Sequence, residues 1–281
     1  MCETCGCNLT HGNEHLVAED GHLAHTSSGT ESVEVLQGLL DANDHQAQHN
    51  REHFDQHRVL AVNLMSSPGA GKTSLLEATI DELAGELNIA VIEGDLETEN
   101  DAKRIREKGV TAIQICTGSA CHLDAHMLHT ALHELTLNEV DVLFIENVGN
   151  LICPASFDLG QHLNVALLSS PEGDDKPAKY PVMFRAADLV LITKSDLLDV
   201  LGDFDPERAG SYIRQLANPA PVLTLSARSG LGIQAWLDWI LEQINLHRRR
   251  PVEGKTDRPK VQPDGMTLHA ATHTHDAGGR L

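Results

Sequence analysis

A glycine-rich stretch, Ser66-Ser67-Pro68-Gly69-Ala70-Gly71-Lys72-Thr73-Ser74, joins an apolar run at 59–65 to a helical pattern that opens at Leu75-Leu76. Glycines in such a turn let backbone amides approach phosphate oxygens, and the helix N-terminus behind them favours negative charge. Lys72 is placed to reach the β- and γ-phosphates and Thr73 to ligate magnesium, so the stretch reads as a P-loop, with Gly69, Ala70, Gly71 and Ser74 completing the cradle. Ser66 stands where the pattern has its first glycine. That backbone position must therefore tolerate a side chain.

Downstream the texture repeats. Short apolar runs at 89–92, 112–115, 142–145, 165–168, 189–192 and 222–225 alternate with helix-length segments. Continuous rather than alternating hydrophobicity indicates strands covered on both faces, hence a mostly parallel sheet of about seven strands with helices on both sides. The expected class is α/β, a P-loop NTPase over residues 58–247 whose last helix runs over 233–246. Residues 1–40, rich in Gly, His, Ser, Thr and Glu, read as a flexible arm, and 41–57 as a linking helix that bears histidines. Residues 248–281, opening Arg248-Arg249-Arg250-Pro251, read as a disordered tail.

The base is read from Thr193-Lys194-Ser195-Asp196, at the end of the run 189–192. A carboxylate at Asp196 accepts from both N1–H and the exocyclic amine of guanine, whereas adenine presents an acceptor at N1. Polar mismatch of that kind rejects the wrong ligand by roughly four orders of magnitude. The motif resembles the NKxD guanine element of GTPases with Thr193 in place of Asn. Lys194 would lay its stem over the base, and Ser226-Ala227-Arg228 would buttress it. Taken alone, Lys-Ser-Asp also suits a helix N-cap; its place after a strand and downstream of a P-loop selects GTP.

Asp95 and Glu146 each close an apolar run, where an acid can hold magnesium directly or through water. With Lys72 and Thr73 they form the expected catalytic set, Thr73, Asp95 and Glu146 being the magnesium ligands. Asp101 is a weaker third acid, and Gly149 can offer its amide to the γ-phosphate. Asn150 follows Gly149 where a water-orienting glutamine is absent, which predicts slow intrinsic hydrolysis.

Three of six cysteines, Cys2, Cys5 and Cys7, fall in the first seven residues. With the nearby chain amine they can converge on one nickel, copper or zinc ion, for which thiolate competes best. A second set, Cys121, His122 and Cys153, joins a helix expected at 123–137 to the loop after Glu146. That loop is expected to move when the γ-phosphate leaves, so its thiolate would report nucleotide state. Buried structural thiols are the competing reading of these cysteines, and Cys116, inside an apolar run, is assigned to the core. Three ligands leave a tetrahedral site open, to be closed by water or a second subunit. His45, His49, His53 and His57 recur every fourth residue and share one helical face. They read either as a solvated face or as a weak metal buffer, and His269, His273 and His275 in the tail are treated alike. His126, His129 and His133 are read as exposed or packed rather than as ligands.

A net charge of −20 argues against nucleic acid or an anionic membrane as partner. The polar N-terminus and the lack of any apolar run near the roughly 18 residues of a membrane span predict a cytoplasmic protein with reduced thiols.

Together, Met-Cys-x-x-Cys-Gly-Cys, the P-loop, Gly94-Asp95-Leu-Glu-Thr, Cys121-His122-Leu-Asp-Ala and Glu146-Asn-Val-Gly-Asn-Leu-Ile-Cys-Pro resemble the HypB family. These are GTPases that help insert nickel into nickel-iron hydrogenases, and the resemblance runs from Met1 to about residue 246. It implies a high-affinity nickel site at Cys2, Cys5 and Cys7, and a weaker nickel or zinc site at Cys121, His122 and Cys153 lying at the interface of a GTP-dependent homodimer. It also implies a HypA-like metallochaperone and the immature hydrogenase large subunit as partners. The competing classes are a urease-type, UreG-like nickel GTPase, and a nickel storage protein in which nucleotide is incidental. Against the first stand the N-terminal thiols and the Cys-His pair where that family has Cys-Pro-His.

Overall fold

The computed structural model describes residues 30–95, 99–118 and 120–250, with backbone alone over 30–39. The sites expected at Cys2, Cys5 and Cys7 and at His269, His273 and His275, and most of the arm and tail, lie outside the described residues.

Parallel strands β1 (Leu60–Ser66), β2 (Ile89–Asp95), β3 (Thr111–Cys116), β4 (Val142–Glu146), β5 (Leu163–Ser169), β6 (Leu189–Thr193) and β7 (Val222–Thr224) form one sheet in the order β3-β2-β4-β1-β5-β6-β7. The α/β expectation holds, and its cause is visible strand by strand: β1 and β4 are buried at every position, as residues covered by helices on both faces must be. The helices are α1 (Thr30–His57), α2 (Lys72–Leu83), α3 (Asn100–Glu107), α4 (Ala125–Leu132), the short α5 (Lys176–Lys179), α6 (Pro181–Arg185) and α7 (Leu198–Leu201), then α8 (Pro206–Gln215) and α9 (Ile233–Arg248). On one face Leu75, Leu76 and Ile80 of α2 and Trp236, Leu237 and Ile240 of α9 pack on Leu60, Val62 and Leu64. On the other, Phe54 of α1 and Leu128 and Leu132 of α4 cover Ala61, Ile92 and Ile145. The chain leaves β1 for β2 in one direction and enters β5 from the other. That reversal opens a crevice at the carboxyl end of β1, where α/β sheets bind ligands.

Three differences from the sequence reading have local causes. The helix expected from residue 41 begins at Thr30, and it is part of the domain rather than a linker: Ala47, Asn50, Arg51 and Phe54 are buried, at the spacing of one helical stripe. Its buried polar side chains reach across to the sheet's loops: Arg51 Nη2 donates to both carboxylate oxygens of Asp158, at 2.6 and 2.8 Å, and Asn50 donates to the Leu159 carbonyl at 3.1 Å. Second, α4 starts at Ala125 rather than Leu123 because the Asp124 side chain accepts from the Met127 amide at 2.7 Å and so fixes the N-cap there. Third, Cys116 is exposed, not in the core. It is the last residue of β3, which lies at the edge of the sheet, and one apolar run does not reveal which strand will be the edge.

Candidate functional site

The turn between β1 and α2 takes its shape from Gly69 and Gly71, at φ 73° and 97°, a region that L-residues with a Cβ rarely enter. Lys72 Nζ donates to Ser66 Oγ at 3.1 Å. The residue standing in the place of the pattern's first glycine thus holds the lysine instead of obstructing it. Thr73 Oγ1 donates to Glu146 Oε1 at 2.9 Å, and Lys72 Nζ is 4.0 Å from the same oxygen. Pro68 and Gly149 are in close backbone approach, because a Cβ at Gly149 would sit 2.8 Å from Pro68 Cα. The loop after β4 is therefore seated on the P-loop itself. Around these groups lies a cavity of about 490 Å³, lined among others by Lys72, Thr73, Asp95, Asp101, Glu146 and Gly149.

The same cavity holds Glu93, which the sequence reading missed. Parallel register sets Glu93 beside Glu146 across β2 and β4, so both carboxylates face Lys72 and Thr73. Glu93 Oε2 and Glu146 Oε2 are buried without a hydrogen-bond partner. Buried carboxylate oxygens are costly to leave unmatched, and hard oxygen donors in this place fit a magnesium ion. An acid inside an otherwise apolar strand run was the signal available. Burial, reinforced by the neighbouring Glu146, raises the Glu93 carboxyl to about 8. Burial likewise raises Glu146 to about 7, opposed by Lys72 and the Thr73 hydroxyl.

These shifts have a stability consequence. Glu93 binds its proton more tightly folded than unfolded, where its value is 4.5. Its contribution is therefore fully present below about 4.5 and is lost as pH rises through about 8. In nucleotide-free, chelator-treated protein, Glu93→Gln should gain on the parent progressively from pH 5 to 8, measured as the difference in urea midpoint. A constant difference across that range would refute the assignment.

Behind the phosphate end, a cavity of about 230 Å³ is lined by Ala70, Gly71, Thr193, Lys194, Asp196, Ser226, Ala227 and Arg228 among others. Thr193 Oγ1 donates to the Ala70 carbonyl at 2.7 Å and Lys194 Nζ to the Gly69 carbonyl at 2.7 Å. Thr193 thus tethers the motif to the P-loop through its hydroxyl. Lys194 takes a left-handed φ of 58°, which turns the chain sharply enough for Asp196 to line the cavity. Ser226 is fixed by its amide on the Leu231 carbonyl at 2.8 Å and by the Ser229 amide on its Oγ at 3.2 Å.

On the other side of Gly149 the chain reaches Cys153, and the donor atoms of Cys121, His122 and Cys153 lie within 4.8 Å of one another. Cys121 Sγ is 3.7 Å from His122 Nδ1. The His122 ring is buried and stacked on Phe157 at 3.9 Å. Burial, against the pull of Asp124, holds its pKa down to about 4, which keeps the imidazole neutral, the form that binds metal. Two residues couple this cluster to the nucleotide strands. Asn147, next to Glu146 and 1 % exposed, accepts on Oδ1 from the Leu123 amide at 3.2 Å and the Val148 amide at 2.9 Å. Gly94, next to Glu93, leaves room for Leu123, which a Cβ would meet at 2.7 Å. Both stand in motifs that carry the family resemblance, but neither was given a role from sequence, since an amide and a glycine gain meaning only from their contacts.

Comparisons with known proteins converge on one family. The profile of the CobW/HypB/UreG nucleotide-binding domain matches residues 60–224. The chain is 48% identical to hydrogenase maturation factor HypB of Azotobacter vinelandii over 83% of its own length and 77% of that protein's. It is 47% identical to the HypB of Escherichia coli K12, over 80% of each chain. The crystal structure of HypB from Helicobacter pylori in complex with nickel superposes with a TM-score of 0.70 at 40% identity, covering 76% of this chain and 99% of that one. On a matching family profile over residues 60–224 and relatives 47–48% identical over most of their length, the chain belongs to the HypB family of P-loop GTPases, the hydrogenase maturation factors.

Proposed function

We propose that this chain is a GTP-hydrolysing nickel metallochaperone that promotes insertion of nickel into the large subunit of nickel-iron hydrogenase. The reaction is attack of water on the γ-phosphate. Lys72 neutralises charge on the transferring group, the P-loop amides orient it, and the Gly149 amide meets the γ-phosphate. Thr73, Glu146, Glu93 and Asp95 would hold magnesium, which when bound would supply charge neutralisation to the phosphates. Asp196 selects guanine. With Asn150 in the place of a water-orienting glutamine, intrinsic turnover is slow and hydrolysis acts as a timer. Nickel is cargo: Cys2, Cys5 and Cys7 capture it, and Cys121, His122 and Cys153 hold nickel or zinc in a site that a GTP-dependent homodimer completes. A HypA-like metallochaperone and the hydrogenase large subunit precursor are the partners on either side of transfer.

One observation carries this reading: Asn147 joins the Glu146–Gly149 loop to the segment that bears Cys121 and His122. A loop that shifts with the γ-phosphate must then shift a metal ligand, and linkage makes the effect reciprocal. Nickel affinity measured with GDP and with a non-hydrolysable GTP analogue should differ by about 5- to 150-fold, the span of typical coupling energies. Asn147→Ala should bring the ratio toward one while both nucleotides still bind. Equal affinities in the parent protein would defeat the proposed mechanism.

A further inference from the structure

The four-residue repeat of histidines along α1 acquires a partner in the folded chain. Packing of α1 on α4 brings His129 against His49 and His53, with ring centroids 5.1 and 5.9 Å away, and His49 and His53 are 4.5 Å apart. The donor nitrogens of the three rings lie within 4.8 Å of one another, and Nε2 of His49 is 3.2 Å from Nε2 of His53. Two imidazoles at about 2.0–2.1 Å from one ion stand about 3–3.5 Å apart, so this pair is already at ligand separation.

The protonation pattern is set by a neighbour. Asn50 is fully buried, and its amide nitrogen donates to the carbonyls of Ala125 at 2.8 Å and Leu159 at 3.1 Å. With both amide hydrogens used, Asn50 Oδ1 is the atom that faces His129 Nδ1 at 3.0 Å, so Nδ1 carries the proton and Nε2 keeps its lone pair. A ligating histidine is oriented in this way, by a hydrogen bond from its other nitrogen to a fixed acceptor. Burial, and then the adjacent histidines, holds the pKa values of His53 and His129 below the usual range, which keeps the rings neutral. The other mixed cluster, Asp55, His162 and His247, lacks this property: His162 Nδ1 accepts from the Ala61 amide and its Nε2 faces Asp55, so neither nitrogen is spare.

We propose that His49, His53 and His129 form an imidazole-only site for a divalent ion of the nickel and zinc class, distinct from the thiol sites and pinning α1 to α4. Imidazole suits such borderline ions. Water or His133, whose ring is 4.7 Å from that of His129, can complete the coordination. Since α4 directly follows Cys121-His122 and Asn50 holds the carbonyl of its first residue, an ion here braces the helix behind the thiol cluster.

The test uses the full chain with separate nickel and zinc arms. In equilibrium dialysis, His49→Ala/His53→Ala and His129→Ala should each lose one equivalent of metal, or bind it at least tenfold more weakly. His126→Ala, an exposed neighbour on α4, should not. The arm that fills the site identifies the ion. Retention of that equivalent at unchanged affinity in His129→Ala would reduce the feature to a two-ring chelate on α1 and overturn the proposal. A second measurement needs no variant: after thiol alkylation the parent chain should still bind one cobalt(II) with no thiolate charge-transfer band. Absence of that binding would equally overturn it.

Discussion

Replacing Lys72 by Ala should lower GTP turnover by about 10³-fold and abolish hydrogenase maturation, while the nickel bound per chain stays unchanged. Removing one preorganised donor to developing oxyanion charge typically costs about 10²–10³, and clamps on a transferring phosphoryl group reach about 10³–10⁵. Here the loss is compounded, because Lys72 opposes the raised carboxyl pKa values of both Glu93 and Glu146. Without it, fewer of those oxygens are ionised at neutral pH to receive a cation. Lys72 contributes nothing to the Cys121, His122 and Cys153 cluster, so metal capacity should survive. The measurement is single-turnover GTP hydrolysis beside metal content and hydrogenase activity in a strain carrying the variant. Maturation that persists without turnover would favour the nickel storage reading over the delivery reading.

The same contrast between residue type and placement governs what could be read from the chain. The P-loop was legible because its chemistry is local: glycines for φ near 73° and 97°, then Lys72 and Thr73 in fixed order. The parallel sheet was legible because burial on both faces writes itself as unbroken apolar runs. Cys121, His122 and Cys153 were grouped through the loop after Glu146, expected to move with the γ-phosphate, and through the HypB resemblance, and the structure does bring their donor atoms together.

What escaped is non-local. Glu93 became part of the site through its register with Glu146 across two strands, and Asn147 through one amide contact to Leu123. The histidine repeat showed its spacing but not its partner, because His129 meets it through α1–α4 packing. Cys116 was misplaced for the converse reason. Its run is apolar, but β3 has a neighbour on one side only, and its last residue emerges into solvent.

Base selection provides the other large effect. Asp196→Asn should weaken GTP binding by about 10²–10⁴-fold and raise affinity for xanthosine triphosphate by a similar factor, leaving ATP excluded. Hydrogen bonds to a charged group are each worth about 1.5–3 kcal/mol. Losing the pair from guanine therefore costs about 3–6 kcal/mol, and each 1.4 kcal/mol is tenfold. An amide in place of the carboxylate can donate to the second carbonyl of xanthine, which restores the match. The change should be confined to the base, because the phosphate cradle is tethered separately by Thr193 on the Ala70 carbonyl and Lys194 on the Gly69 carbonyl. Thr193→Val makes the complementary case: it cuts that tether and should weaken guanine and xanthine nucleotides alike, by about tenfold for one buried hydrogen bond left unmade. Competition binding with labelled GTP, xanthosine triphosphate and ATP separates the two patterns. If Asp196→Asn keeps its guanine preference intact, the pocket behind the P-loop reads the base through some other group.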